Sequence, residues 1–249
     1  MTETPESQRN QQPAAREPAI NLPGVILALL GVLIAIHLAR TLVLNEQADE
    51  QMALWVAFIP LRIAAGQQDP SYWLPLIWTP FTYALLHAGW MHLIINCVWL
   101  AAFGTPVAQR YGAWQMLVLF FVSSAAGAAL FAAFPSRGAL VGASGGIAGL
   151  TGAACRFIFQ PMIIHRDPDT GEQRMLGRKL ASFGELIRDR RAGVFILVWL
   201  GGNAVVPLLP ELFGGSGSIS WQAHLGGFLA GLLLVPLFER KPKEPADEH

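Results

Sequence analysis

Three stretches of the 249-residue chain hold side chains that could do chemistry together. Gly142-Ala143-Ser144-Gly145-Gly146 sets one hydroxyl among small residues at the head of an apolar run. Ala223-His224-Leu225-Gly226-Gly227 sets an imidazole near the C-terminus, and His87, His92 and Asn96 supply two imidazoles and an amide upstream. A serine hydroxyl becomes a nucleophile when an adjacent base takes its proton, and neutral histidine is the usual base. Burial favours the uncharged imidazole that a base must be. His92 and Asn96, at i and i+4, share a helix face and can aim N–H donors at one point, where they would stabilise an oxyanion. The residue types are those of acyl transfer to a serine, provided the three stretches meet.

Whether they meet depends on the elements that carry them. With 53% hydrophobic and 14% charged residues the chain is too apolar for a soluble domain of its length, and it reads as an all-α polytopic membrane protein. Its formal net charge is zero, which gives nucleic acid no electrostatic reason to bind. Residues 1–21 are polar and fit a disordered cytoplasmic tail rather than a signal or transit peptide. Spans are expected at about 24–44, 87–103, 114–134, 144–157, 193–209 and 221–238, so that 22–238 forms a six-helix membrane domain. Pro23 suits the first turn of the first span, and Arg40 is placed to snorkel near its end. Residues 45–80, with Trp55, Trp73 and Trp78, suit a membrane interface. About 157–192 is a basic cytoplasmic loop, partly amphipathic near 180–187; 210–220 is a mobile cap, and 239–249 a charged cytoplasmic tail. Cys97 and Cys155 lie in apolar runs as small hydrophobes.

Six spans place both ends on one side, and the basic residues choose that side. With the N-terminus inside, the inner segments hold Arg9, Arg16, Arg110, the eight basic residues between 156 and 191, and Arg240, Lys241 and Lys243; the outer loops hold Arg62 and Arg137. The expected arrangement is therefore N-in/C-in. Spans two, four and six then run from outside to inside, and His92, Ser144 and His224 share a depth near the outer face. Ser144, Ala148 and Gly152 form a small-residue stripe, and Gly227 and Gly231 a GxxxG stripe, so spans four and six can approach closely. Taken singly, Ser144 could be a helix-packing serine and His224 a satisfied membrane histidine. At one depth on three helices they read as a functional set, since ionisable residues inside a membrane are functional by default. His87 and His92 point to different faces and no carboxylate lies in a span, which argues against a metal site.

In this order within six spans, the motifs resemble the rhomboid family of intramembrane serine proteases over roughly residues 78–238. The resemblance implies a six-transmembrane-helix rhomboid-like bundle and a catalytic dyad of Ser144 and His224. It implies an oxyanion hole of His92, Asn96 and the Ser144 N–H, a structural role for His87, and no cofactor or metal. The activity implied is that of a serine endopeptidase that cleaves single-span membrane protein substrates through an acyl-enzyme, near the outer face of the lipid bilayer. A bacterial inner membrane, with the site toward the outer side, is the expected location. The alternative is a non-catalytic relative that binds transmembrane helices, or a small-solute transporter; retention of both Ser144 and His224 argues for the enzyme. The chain departs from the family pattern in three places. Trp78-Thr79 stands where many members carry Trp-Arg, and Gly104-Thr105-Pro106-Val107-Ala108 where many carry Gly-xxx-Glu. Ala148 stands where many carry an aromatic ring against the catalytic imidazole.

Overall fold

The computed structural model describes residues 21–135, 138–166, 171, 173–205 and 220–239. Pro23 sits at the N-cap of α1 (Gly24–Leu38), which runs on through a π turn at Ala39–Val43. The expected interfacial stretch is a series of short helices: α2 (Glu46–Val56), α3 (Leu61–Ala65), a 3-10 segment (Pro70–Ile77) and α4 (Thr79–Thr82). Asn45 caps α2 by accepting from the Ala48 N–H at 2.8 Å, and Glu46 and Asp49 add negative charge at the positive end of its dipole. The long helices follow: α5 (Trp90–Trp99), leading through a π turn into α6 (Thr105–Tyr111), then α7 (Ala113–Ala132) and α8 (Ser144–Cys155). After β1 (Met162–Arg166) and β2 (Gln173–Arg178) come α9 (Phe183–Arg188), α10 (Arg190–Val205) and α11 (Trp221–Leu234).

Among the described residues four helices are long and apolar enough to cross a membrane: Gly24–Val43, Trp90–Tyr111, Ala113–Ala132 and Trp221–Phe238. Their outer faces are aliphatic; Leu42 is 74% exposed, and Leu197 of α10 is 71% exposed. Such surface would drive aggregation in water and is at home against lipid. α8 is different. Its 12 residues reach about 18 Å at 1.5 Å per residue, and every one from Gly145 to Cys155 is buried. α8 is thus the helix around which α7 and α11 close.

That closeness is made by glycine. A β-carbon on Gly227 would overlap the Gly145 carbonyl, and one on Gly231 the Gly149 carbonyl. The close-packed face of α8 is therefore Gly145, Gly149 and Gly152, the last against the Phe228 carbonyl; of the stripe expected from the sequence, Gly152 lies in the seam and Ala148 is buried in one cluster with Phe228, while Gly145 and Gly149 are additions to it. Ser144 sits one position off the contact seam, which leaves its hydroxyl accessible.

Two expectations are corrected and one gains detail. His87, read as the start of a span, precedes α5 and lies outside the helix. Arg40, expected to snorkel near the end of the first span, has its guanidinium on Asp49 at 2.6 and 3.1 Å and donates to the His87 carbonyl at 2.9 Å, a two-pronged carboxylate contact. The basic stretch is not all loop. β1 and β2 pair antiparallel, Met162 opposite Arg178, with an irregularity between Ile163 and Ile164 that Gly177, at φ +100°, absorbs as a bulge. Beyond the hairpin, Ser182 and Glu185 cap α9 reciprocally. Lys179 and the Ser182 donors hold the Glu185 carboxyl down to about 2. Of the expected cap at 210–220, residues 210–219 lie outside the described residues, as do 1–20 of the N-terminal tail and 240–249 of the C-terminal tail.

The glycine seam has a direct test. Gly231→Ala, forced against a carbonyl, is expected to destabilise by about 1–3 kcal/mol. Gly201→Ala on α10, where nothing lies within 4 Å of the added methyl, is expected to cost nothing. Thermal unfolding of the two variants in the same detergent measures the difference.

Candidate active site

The segment that presents Ser144 is tied down before α8 begins. Phe58 and Leu140 exchange backbone hydrogen bonds at 2.8 and 3.2 Å, and the Gly142 N–H donates to the Tyr83 carbonyl at 3.0 Å. Gly142 has φ +120°, a conformation that a side chain would strain. A β-carbon there would also lie 2.6 Å from His92 Cε1. Tyr83 is buried beneath this turn, its hydroxyl donating to the Ser124 carbonyl at 2.9 Å. Ser144 is then the first residue of α8, where the backbone N–H groups have no intrahelical acceptor and the helix dipole is positive.

Ser144 and His224 meet. Across the α8–α11 seam, Ser144 Oγ lies 2.7 Å from His224 Nε2. The other ring nitrogen, Nδ1, lies 2.5 Å from Asn203 Oδ1 on α10. Asn203 was not singled out by sequence reasoning. The signal available was a lone amide between Gly202 and Ala204 in an otherwise apolar helix.

His92 stands over Gly142 from α5. A β-carbon on Gly142 would be 2.7 Å from His92 Nε2 and 3.7 Å from Ser144 Oγ, so the two groups face the same small space. The Ala88 N–H donates to His92 Nδ1 at 3.5 Å, a long hydrogen bond that leaves the proton on Nε2, facing that space. Asn96 is buried one turn on, with one amide N–H donated to the His92 carbonyl at 2.9 Å; the second N–H is not committed to that bond. His87 packs edge-on to His92, ring centroids 5.1 Å apart. Ser144, His224 and His92 are thus brought together, Asn96 is bonded to the His92 carbonyl, and His87 packs against the His92 ring. Among the described residues no cluster of His, Cys, Asp and Glu could hold a metal ion.

Two of the departures from the family pattern have visible replacements. Ala148 is buried in a cluster with Phe228 and Cys155, and Phe228 stacks on Trp199 with centroids 4.5 Å apart. The space that a ring at 148 would occupy is already filled. The glutamate absent at 108 is replaced from the far end of the chain: Glu239 meets Arg110 at 2.5 Å and accepts from the Tyr111 hydroxyl at 2.9 Å. Tyr83 and Glu239 were also missed; no local pattern marks either.

Lipid-facing helices closing around a half-buried serine–histidine pair define an integral membrane protein with a candidate site inside the bundle. The Rhomboid domain model matches residues 75–241, about two thirds of the chain, and the chain belongs to the rhomboid family. It is also similar to RHOMBOID-like protein 1 of Arabidopsis thaliana, with 29% identity over 168 residues covering 67% of this chain and 36% of the relative. The chain thus spans about a third of the length of that relative.

With the space at position 148 filled, Ala148→Phe is expected to overpack the site and cost about 1–3 kcal/mol. Loss of both thermal stability and serine reactivity is the expected result; a variant that stayed stable and reacted faster would show the space to be empty.

Proposed function

We propose that the protein is an intramembrane serine endopeptidase that cleaves transmembrane segments of single-span membrane proteins through Ser144 and His224. The observation that carries this reading is the 2.7 Å contact between Ser144 Oγ and His224 Nε2, made by residues 80 apart in sequence. A purely structural bundle gains little from placing a hydroxyl and an imidazole at this spacing, since such polar contacts contribute only about 0.6 kcal/mol on average between membrane helices.

In the proposed reaction Ser144 Oγ attacks the substrate carbonyl carbon while its proton passes to His224 Nε2. The carbonyl oxygen gains the negative charge. The donors toward it are the His92 Nε2–H, the free N–H of Asn96 and the first-turn amides of α8, at the positive end of the helix dipole. Collapse of this intermediate breaks the C–N bond, and His224 returns its proton to the departing amine. Water, activated by the same imidazole, then releases the acyl group from Ser144. No metal or cofactor takes part.

The shortness of α8 supports a recessed site. A helix of about 18 Å falls short of about 30 Å of hydrocarbon, which lets Ser144 lie below the ends of the longer helices. A substrate bond must come to that depth with its helix locally opened, because a peptide carbonyl inside a helix is shielded by its own hydrogen bond. The proposed frame is six spans, N-in/C-in, with α8 and α10 completing the four long helices. It is supported by Arg110, Arg156, Arg178 and Arg191 gathering at the end of the bundle away from Ser144.

Ser144→Ala and His224→Ala are each expected to abolish cleavage of a model single-span substrate. Both are also expected to abolish labelling by a fluorophosphonate probe, with little change in thermal unfolding. Wild-type protein that neither labels nor cleaves would leave a helix-binding scaffold as the better reading. For the orientation, a cysteine at Gln67 is expected to react with an impermeant thiol reagent on intact cells and one at Gln173 to resist it. The reverse pattern would put the site on the inner side.

A further inference from the structure

We propose that Asn203 is a positioning residue that holds His224 in the tautomer it needs as a base. The inference rests on the reading of Ser144 and His224 as a catalytic pair and adds a third member on a third helix. Its argument is one of donors and acceptors. Asn203 Nδ2 lies 2.8 Å from the Trp199 carbonyl of its own helix, and a carbonyl can only accept. The amide nitrogen must therefore face Trp199, which turns Oδ1, an obligate acceptor, toward His224 Nδ1 at 2.5 Å. Nδ1 must then carry the ring proton, and Nε2 presents its lone pair to the Ser144 hydroxyl at 2.7 Å. The backbone of α10 thereby selects which imidazole nitrogen is the base.

An amide suits the place. A carboxylate in this role would bring a charge into an apolar bundle at high cost, whereas an amide fixes tautomer and ring orientation without charge. It also supplies what Ala148 cannot, since a methyl gives the imidazole no aromatic face to rest on.

Asn203 sits on a lightly held helix. Ala192 is the one buried residue of α10, and near Asn203 the contact with α11 is made by the Trp199–Phe228 stack and by the histidine itself. A cleft of about 340 Å3, lined in part by Trp199, Asn203, Trp221 and Leu225, opens beside the amide. His224 is consequently held in its working tautomer only while α10 lies against α11.

The test uses full-length protein in detergent, with Asn203→Leu, which keeps the size and removes the acceptor, and Asn203→Asp, which keeps an acceptor. The rate of fluorophosphonate labelling and the kcat and KM for a model transmembrane substrate are measured. The His224 tautomer is read by nitrogen NMR of histidine-labelled protein. Asn203→Leu is expected to slow labelling and kcat by roughly 10- to 100-fold, the cost of a misplaced catalytic group, with KM within about twofold and the Nδ1–H tautomer lost. Asn203→Asp is expected to retain that tautomer. An Asn203→Leu protein that labels at the wild-type rate, or that keeps the Nδ1–H tautomer, overturns the inference. If wild-type protein shows no serine-dependent labelling, the protease reading fails, while the tautomer measurement still decides whether Asn203 sets the state of His224.

Discussion

The distance between a hydroxyl on α8 and an imidazole on α11 is set by how closely two helix backbones can approach, and here they meet with no side chain between them. Gly145 faces Gly227 and Gly149 faces Gly231. A hydrogen bond such as the 2.7 Å Ser144–His224 contact tolerates a change of only a few tenths of an ångström before it weakens. One methyl in the seam would consume that tolerance and more. The small residues therefore set the site as well as the packing: with nothing flexible in the seam, the separation of the hydroxyl and the imidazole follows from van der Waals contact between backbones.

The short central helix also organises charge. At its N-terminus, unpaired amides and the positive end of the dipole face the space shared by Ser144 Oγ and His92 Nε2, where negative charge would develop. At its C-terminus stands Arg156, buried, donating to the Ala181 and Leu232 carbonyls at 2.6 and 2.9 Å and lying 4.4 Å above the Phe183 ring. A cation at a helix C-terminus is favourable, and carbonyl and aromatic partners satisfy this one without a carboxylate. Arg110 with Glu239 occupies the same end of the bundle. Arg110 and Arg156 thus stand at the end of the bundle away from Ser144, while at the other end Arg40, paired with Asp49, donates to the His87 carbonyl.

The three histidines near the site show how one residue type takes different parts. His224 faces a hydroxyl and an amide oxygen and is suited to move a proton. His92 accepts from a backbone N–H and turns its own N–H toward Gly142. His87, buried, finds no hydrogen-bond partner for either ring nitrogen among the described residues and packs against His92. Neighbours within 4 Å, rather than position in the motif, make the distinction.

Much of the framework was legible in the sequence because it is local. Apolar runs bounded by Pro23, Gly112 and Pro135 become helices, since helical hydrogen bonds close within four residues. The first-turn positions of His92, Ser144 and His224 follow from the 3.6-residue period once the helix starts are known. What the sequence could not determine is every feature whose partner lies far along the chain. Which face of α8 meets α11 depends on helix rotation, and a stripe of Ser144, Ala148 and Gly152 competes on equal terms with one of Gly145 and Gly149 until real volumes are packed. The β-hairpin was hidden because its basic residues mask a pairing held by backbone groups. Glu239 reaches Arg110 across 129 positions and Asn203 reaches His224 across 21, and neither carries a local pattern to announce it. Composition and period determine that this chain forms membrane helices with a serine and a histidine at one depth; only close packing of those helices decides which backbones touch, and so which amide, carboxylate and imidazole become neighbours.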